Sequence, residues 1–161
     1  MDSVSPPTPN RRRVLVTSAA LGGAMLLPAL QPALAAASTA DLATAVGAYT
    51  GGAIVLAGKV KLQVSELVDN GNVVPITITV DSPMTPASHV KAVALFNEKN
   101  PQREVAKFAL GPNSGKAMVS TRIRLATTQK LVAVAQMSDG SFWSGSADVI
   151  VTLAACIEGE V

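Results

Sequence analysis

From Lys59 onward, apolar residues recur at every second position in short runs, and each run stops at a turn-forming residue. A period of two marks half-buried β-strands, because successive side chains on a strand point to opposite faces. Val60, Leu62 and Val64 alternate with Lys59, Lys61 and Gln63. Asp69-Asn70-Gly71-Asn72 reads as a turn, since Asn and Gly tolerate positive φ. Val74-Pro75-Ile76-Thr77-Ile78-Thr79-Val80 is the next strand, rich in the β-branched residues that suit a pleated surface. Pro75 cannot donate to a ladder and belongs at a strand start or an edge.

Ser82-Pro83 and Thr85-Pro86 break that run, and further strands are expected over 89–97, 104–110, 117–126 and 130–138. Asn100-Pro101, Gly111-Pro112 and Asp139-Gly140 separate or end them. Phe142-Trp143 leads into a last strand over 147–153, with Val149, Val151 and Leu153 on one face. About seven short strands with turn signals between them and no long helix predict an all-β, immunoglobulin-like antiparallel β-sandwich over residues 59–153. An open barrel is the alternative.

Residues 36–58 form a lead-in containing a short helix. Leu42, Ala45, Val46 and Tyr49 fall on one helical face over residues 39–50, with Ser38 or Thr39 to cap the start and Gly51-Gly52 to stop it. Ala53 to Gly58 is apolar without a clear period. Hydrophobic residues make up 48% and charged residues 15%, which favours a packed domain over disorder. Aromatic residues are 3%, so the core must be built from Val, Leu, Ile and Ala.

The first 35 residues read as an export signal. Arg11-Arg12-Arg13 precedes an apolar run from Val14 to Leu27, and Ala33-Leu34-Ala35 offers a small-x-small cleavage site. The run is too short to span a bilayer of about 30 Å comfortably. Asn10-Arg11-Arg12-Arg13-Val14-Leu15 resembles a twin-arginine signal, although Asn10 and Val14 stand where Ser or Thr and Phe are usual. An ordinary secretory signal is the alternative. Either route exports the mature chain, and no stable membrane association is expected.

Charge and motif content exclude several functions. The formal net charge of +2 resides entirely in this leader, through Asp2 and the three arginines. The mature chain therefore has no basic footprint, and nucleic acid is not an expected partner. One histidine, His89, and one cysteine, Cys156, cannot supply a usual zinc or iron–sulfur site, so no metal or cofactor is expected. No G-x-S-x-G, P-loop or G-x-G-x-x-G is present, and the chain does not read as an enzyme.

Cys156 lies just past the last predicted strand, in Leu153-Ala154-Ala155-Cys156-Ile157-Glu158-Gly159-Glu160-Val161. A lone thiol in an oxidising compartment tends to pair, react or be oxidised. One reading is a small buried hydrophobe that finishes the strand. The other is a nucleophilic thiol on a flexible carrier arm, residues 154–161, with Ala154, Ala155 and Gly159 giving the arm its freedom. Five extended residues beyond Val151 reach at most about 17 Å, enough to enter a partner's cleft.

Several stretches resemble the SoxY family, the cysteine-bearing carriers of bacterial thiosulfate oxidation. They are Asp69-Asn70-Gly71-Asn72-Val73-Val74-Pro75, Asp81-Ser82-Pro83-Met84-Thr85, His89-Val90-Lys91-Ala92, Asn97-Glu98-Lys99-Asn100-Pro101, the run Val119 to Ala126, and Met137-Ser138-Asp139-Gly140-Ser141. The resemblance implies a sandwich paired with a SoxZ-type subunit, and a periplasmic home. It implies covalent attachment of thiosulfate-derived sulfur at Cys156. It also implies transient partners, a c-type cytochrome that couples thiosulfate to the thiol and a manganese sulfohydrolase that releases sulfate. Members of the family usually end in Gly-Gly-Cys-Gly-Gly. Here Ala154, Ala155 and Ile157 flank the cysteine, which stiffens the arm and adds bulk beside the thiol. A divergent paralogue that serves only as a binding or dimerisation module is the competing reading. A thiol enzyme ranks last, because no base lies beside Cys156 in sequence.

Three other places invite functional readings. His89 reads as a structural histidine rather than a catalytic one. Phe142-Trp143 reads as core or interface packing rather than an exposed binding edge. Arg122 and Arg124 share a strand face that could attract anions but reads more simply as a solvated face or as interface salt bridges.

Overall fold

The computed structural model describes residues 41–155. The leader 1–35, the cap candidates Ser38 and Thr39, and the tail 156–161 with Cys156 and Gly159 lie outside the described residues. Among the described residues the order is α1 (Leu42–Thr50), β1 (Val55–Ala57), β2 (Val60–Gln63), β3 (Leu67–Val68), β4 (Val74–Val80), β5 (Val90–Asn97), β6 (Glu104–Ala109), β7 (Met118–Ile123), β8 (Gln129–Met137) and β9 (Phe142–Val151). Strands β2-β4-β7 form one sheet; β1-β9-β8-β5-β6, with β3 beside the end of β9, form the other.

The expected sandwich is present, with two differences in detail. Among the described residues there are nine strands rather than about seven. Also, β1 and β3 pair in parallel with β9, whereas the other pairings are antiparallel. Both extra strands are very short and lie against the edge of β9 that β8 leaves free, at Phe142–Ser144 and Ile150–Val151. They cover backbone groups that would otherwise form an open edge. Because β1 begins at Val55, the lead-in contributes to the sheet ahead of the expected boundary at residue 59.

Alternation sets the inner faces. Val60, Ile76, Ile78 and Val80 from the smaller sheet meet Val93, Leu95, Leu131, Ala133, Ala135 and Val149 from the larger. The sheets approach closely at Gly145, where an added Cβ would stand 2.1 Å from the Val60 carbonyl oxygen. Pro75 pairs with Arg122 on one side and lies beyond the end of β2 on the other. This position near a strand start removes no ladder bond, as its missing N–H requires.

Helix α1 covers the outer face of the larger sheet. Its predicted apolar face, Leu42, Ala45, Val46 and Tyr49, packs on Ala94, Phe96, Val134 and Phe142. The Tyr49 ring lies 5.8 Å from Phe96 and 6.0 Å from Phe142, centre to centre. Burying side chains of this size contributes about 1.5–3 kcal/mol each. The helix starts at an Asp41 N-cap that makes no side-chain cap bond, rather than at Ser38 or Thr39. It stops as expected: Gly51 turns left-handed at φ 64°, and the Gly52 N–H donates to the Gly47 carbonyl at 2.9 Å.

Candidate functional site

The last strand delivers the chain to Cys156, and the backbone on the way is held step by step. The Ile150 N–H donates to Glu66 O at 2.7 Å, and the Thr152 N–H donates to Val68 O at 3.0 Å. The Thr152 hydroxyl adds a bond to Asp69 O at 3.1 Å. Beyond the strand, Leu153 O accepts the Gly71 N–H at 2.8 Å. Gly71 O in turn accepts the Leu125 N–H at 2.8 Å, and Leu125 O accepts the Ala155 N–H at 3.1 Å. Three segments distant in sequence are thus stitched together directly before the cysteine.

Gly71 makes the crossing possible. It is buried, and a Cβ there would lie 2.3 Å from Leu125 O and 3.0 Å from Ala155 N. The sequence suggests a glycine chosen for positive φ, but Gly71 is not among the positive-φ residues. What it provides is close approach of three backbones. The turn around it closes through Asn70, whose Oδ1 accepts the Asn72 N–H at 2.9 Å.

Ala155 was expected to lend freedom to the arm. Instead it is seated at 7% exposure with its N–H engaged. Ala154 is exposed beside it. Cys156 therefore begins one peptide bond, about 3.8 Å between Cα atoms, beyond an anchored residue.

The other candidates lie elsewhere. His89 is structural: its N–H donates to Ser138 Oγ at 3.1 Å, and its Nδ1 lies 3.2 Å from Thr85 O. Phe142 is buried under α1, and Trp143 packs on the inner core. The Trp143 indole N–H donates to Ser141 Oγ at 3.2 Å, and Lys59 Nζ sits 4.4 Å from the ring centre. Phe142 is core packing, and Trp143 is half-buried against the core. Arg122 and Arg124 do not converge: Arg122 lines a shallow cleft with Gln63, Thr77 and Ser120, and Arg124 lines another with Asn97, Asn100 and Glu104. Among the described residues no three of His, Cys, Asp and Glu gather as metal ligands, and no helix is long and apolar enough to cross a membrane.

Sequence reasoning missed Gly71 as a packing residue, and it missed Asn100 and Gln129. Those two side chains meet, Gln129 Nε2 donating to Asn100 Oδ1 at 2.7 Å, beside the segment that holds Ala155. The available signal was two amides flanking the ends of predicted strands, where such side chains commonly bond to backbone.

The family model of the sulfur oxidation protein SoxY matches residues 46–156, most of the chain, and ends on the cysteine. The chain belongs to the SoxY family. Among solved structures it is similar to the sulfur carrier protein SoxY from Chlorobium limicola f thiosulfatophilum. That match has 26% identity and a TM-score of 0.59, over 69% of this chain and 91% of that one. It is also similar to superoxide reductase (neelaredoxin) from Ignicoccus hospitalis, at 17% identity and TM-score 0.52, over 58% and 80% of the two chains. Superoxide reductase from Nanoarchaeum equitans matches at 15% and 0.51, over 60% and 100%. These two likenesses show the fold alone. No curated protein matches the sequence significantly. SoxY membership agrees with the resemblance read from the motifs and with the sandwich described above.

Proposed function

We propose that this chain is a covalent sulfur carrier of thiosulfate oxidation, with Cys156 as the attachment point and partner enzymes doing the chemistry. The observation that carries this reading is SoxY membership over a match that runs to Cys156. The relative from Chlorobium bears the description of a sulfur carrier. The leader supports work in the periplasm after export, by the twin-arginine route.

The chemistry asked of the chain is small. The Cys156 thiol and thiosulfate form a disulfide-linked sulfonate, R–S–S–SO3⁻. The thiol loses its proton, and two electrons leave to a c-type cytochrome. Water then cleaves the terminal S–S bond at a manganese sulfohydrolase, leaving the persulfide R–S–SH and releasing sulfate and a proton. The carrier itself catalyses neither step. Its contribution is a stable sandwich, a thiolate able to attack sulfur, and a tail that can be presented. A SoxZ-type subunit completes the carrier as a heterodimer.

A second reading, a non-carrier paralogue serving as a binding or dimerisation module, is favoured by one observation. The residue before the cysteine is anchored and the flanking glycines of the family are replaced. The variant Cys156→Ser separates the two readings. Carriage predicts a folded protein with an unchanged melting temperature that gains no mass when incubated with thiosulfate and the oxidising cytochrome. Equal loading of the serine variant, or none in the parent, defeats carriage at Cys156.

A further inference from the structure

The groups that hold the tail are themselves held by one side chain. Asn100 follows β5, and its Nδ2 donates to Arg124 O at 2.8 Å. Its Oδ1 accepts the Ala126 N–H at 3.0 Å and Gln129 Nε2 at 2.7 Å. Asn100 is fixed in turn: its N–H donates to Asn97 Oδ1 at 3.2 Å, and the Arg103 guanidinium donates to its carbonyl. Asn97 and Gln129 are 1% and 3% exposed, so these amides are committed to the network. A single carboxamide therefore grips the peptides on both sides of Leu125. The backbone groups of Leu125 serve the tail, its N–H meeting Gly71 O and its carbonyl meeting Ala155 N.

We propose that Asn100 is a positioning residue for Cys156: by clamping the peptides flanking Leu125 it fixes the carbonyl on which Ala155 docks, and so sets how far the cysteine stands from the sandwich. With Ala155 docked, the backbone is held through residue 155. With that bond and the Leu153–Gly71 bond released, the last hold is the Thr152 N–H on Val68 O. The three added residues lengthen the reach by about 10 Å. Docked and released tails differ enough in reach to separate a thiol held near the body from one that enters a cleft. This consequence for sulfur transfer rests on the carrier reading; the anchor itself does not.

The test uses the full mature chain and two readouts, amide hydrogen exchange at Ala155 and alkylation of Cys156 by a bulky maleimide. In Asn100→Ala the Ala155 amide exchanges about five- to tenfold faster, the factor that corresponds to losing one net hydrogen bond. Maleimide alkylation of Cys156 speeds up with it. Val134→Ala, a cavity variant on the far face of the larger sheet under α1, serves as the control for lost stability and leaves both unchanged. The proposal is overturned if Asn100→Ala lowers the melting temperature but leaves Ala155 exchange and Cys156 alkylation like the control. Should Asn100→Ala fail to fold, the parent protein decides. Ala155 and Leu125 must then be protected together, and an Ala155 amide exchanging like free peptide overturns the anchor. Neither readout needs thiosulfate-derived sulfur on the chain. A parent that loads nothing while its Ala155 protection follows Asn100 defeats carriage alone. Normal loading with Ala155 indifferent to Asn100 defeats the anchor alone.

Discussion

Gly71 and Leu125 meet so closely that the position of a Cβ on Gly71 lies 2.3 Å from the Leu125 carbonyl oxygen. The same carbonyl accepts the Ala155 N–H, so the contact sits at the root of the C-terminal tail. Gly71→Ala must push Leu125 and Ala155 apart. Overpacking of this kind costs about 1–3 kcal/mol. The predicted signature is a lower melting temperature together with loss of Ala155 amide protection. A variant with parental stability and an unchanged Ala155 amide would refute the packing role.

The legibility of the chain followed the number of covered faces. Residues of β4 alternate cleanly, because Ile76 and Ile78 face the core while Thr77 and Thr79 face outward. The α1 stripe was equally plain, because one side packs on the sheet. By contrast β5 is apolar almost throughout: Val93 and Leu95 face the opposite sheet, and Ala94 and Phe96 lie under α1. Its existence was readable but the reason for its composition was not. Strands β1 and β3 escaped notice because two or three residues have no period, and their pairing is backbone to backbone along β9. The candidate site was legible as a cysteine and invisible as an anchor. A hydrogen bond from Ala155 to Leu125 leaves no mark on residue type, and Asn100 resembles any loop asparagine until its partners are known.

Tyr49 carries a cost that the fold does not offset. Its hydroxyl is buried with no hydrogen-bond partner among the described residues, and burial, followed by the nearby charge of Glu104, pushes its pKa up. Tyr49→Phe keeps both ring contacts and removes the unpaired group. An unsatisfied buried polar group costs about 1–3 kcal/mol, so the variant should be as stable as the parent or up to that much more stable. Urea denaturation would check this, and a loss of more than about 1 kcal/mol would indicate a partner for the hydroxyl.

Asp139 links pH to the single tryptophan. Its carboxylate accepts the Ser141 side-chain and backbone donors, which hold its pKa below the ordinary value. Ser141 Oγ in turn accepts the Trp143 indole N–H. A lowered folded-state pKa means that the carboxylate stabilises the β8–β9 hairpin above the ordinary aspartate pKa, about 3.9. That contribution is lost as pH falls through the lower folded-state value. Trp143 fluorescence should therefore shift with a midpoint below about 3.9, and Asp139→Asn should abolish that step. A midpoint above the ordinary value would contradict the linkage.

Carriage of sulfur on Cys156, directly after the anchored Ala155, is the function proposed for this chain. It is tested most directly by the intact mass of the mature protein, recovered from the periplasm of cells oxidising thiosulfate, before and after reductant. Carriage predicts added sulfur or sulfonate mass that reductant removes and that fragmentation maps to Cys156. A folded, periplasmic protein with a bare, unmodified Cys156 under those conditions would contradict it.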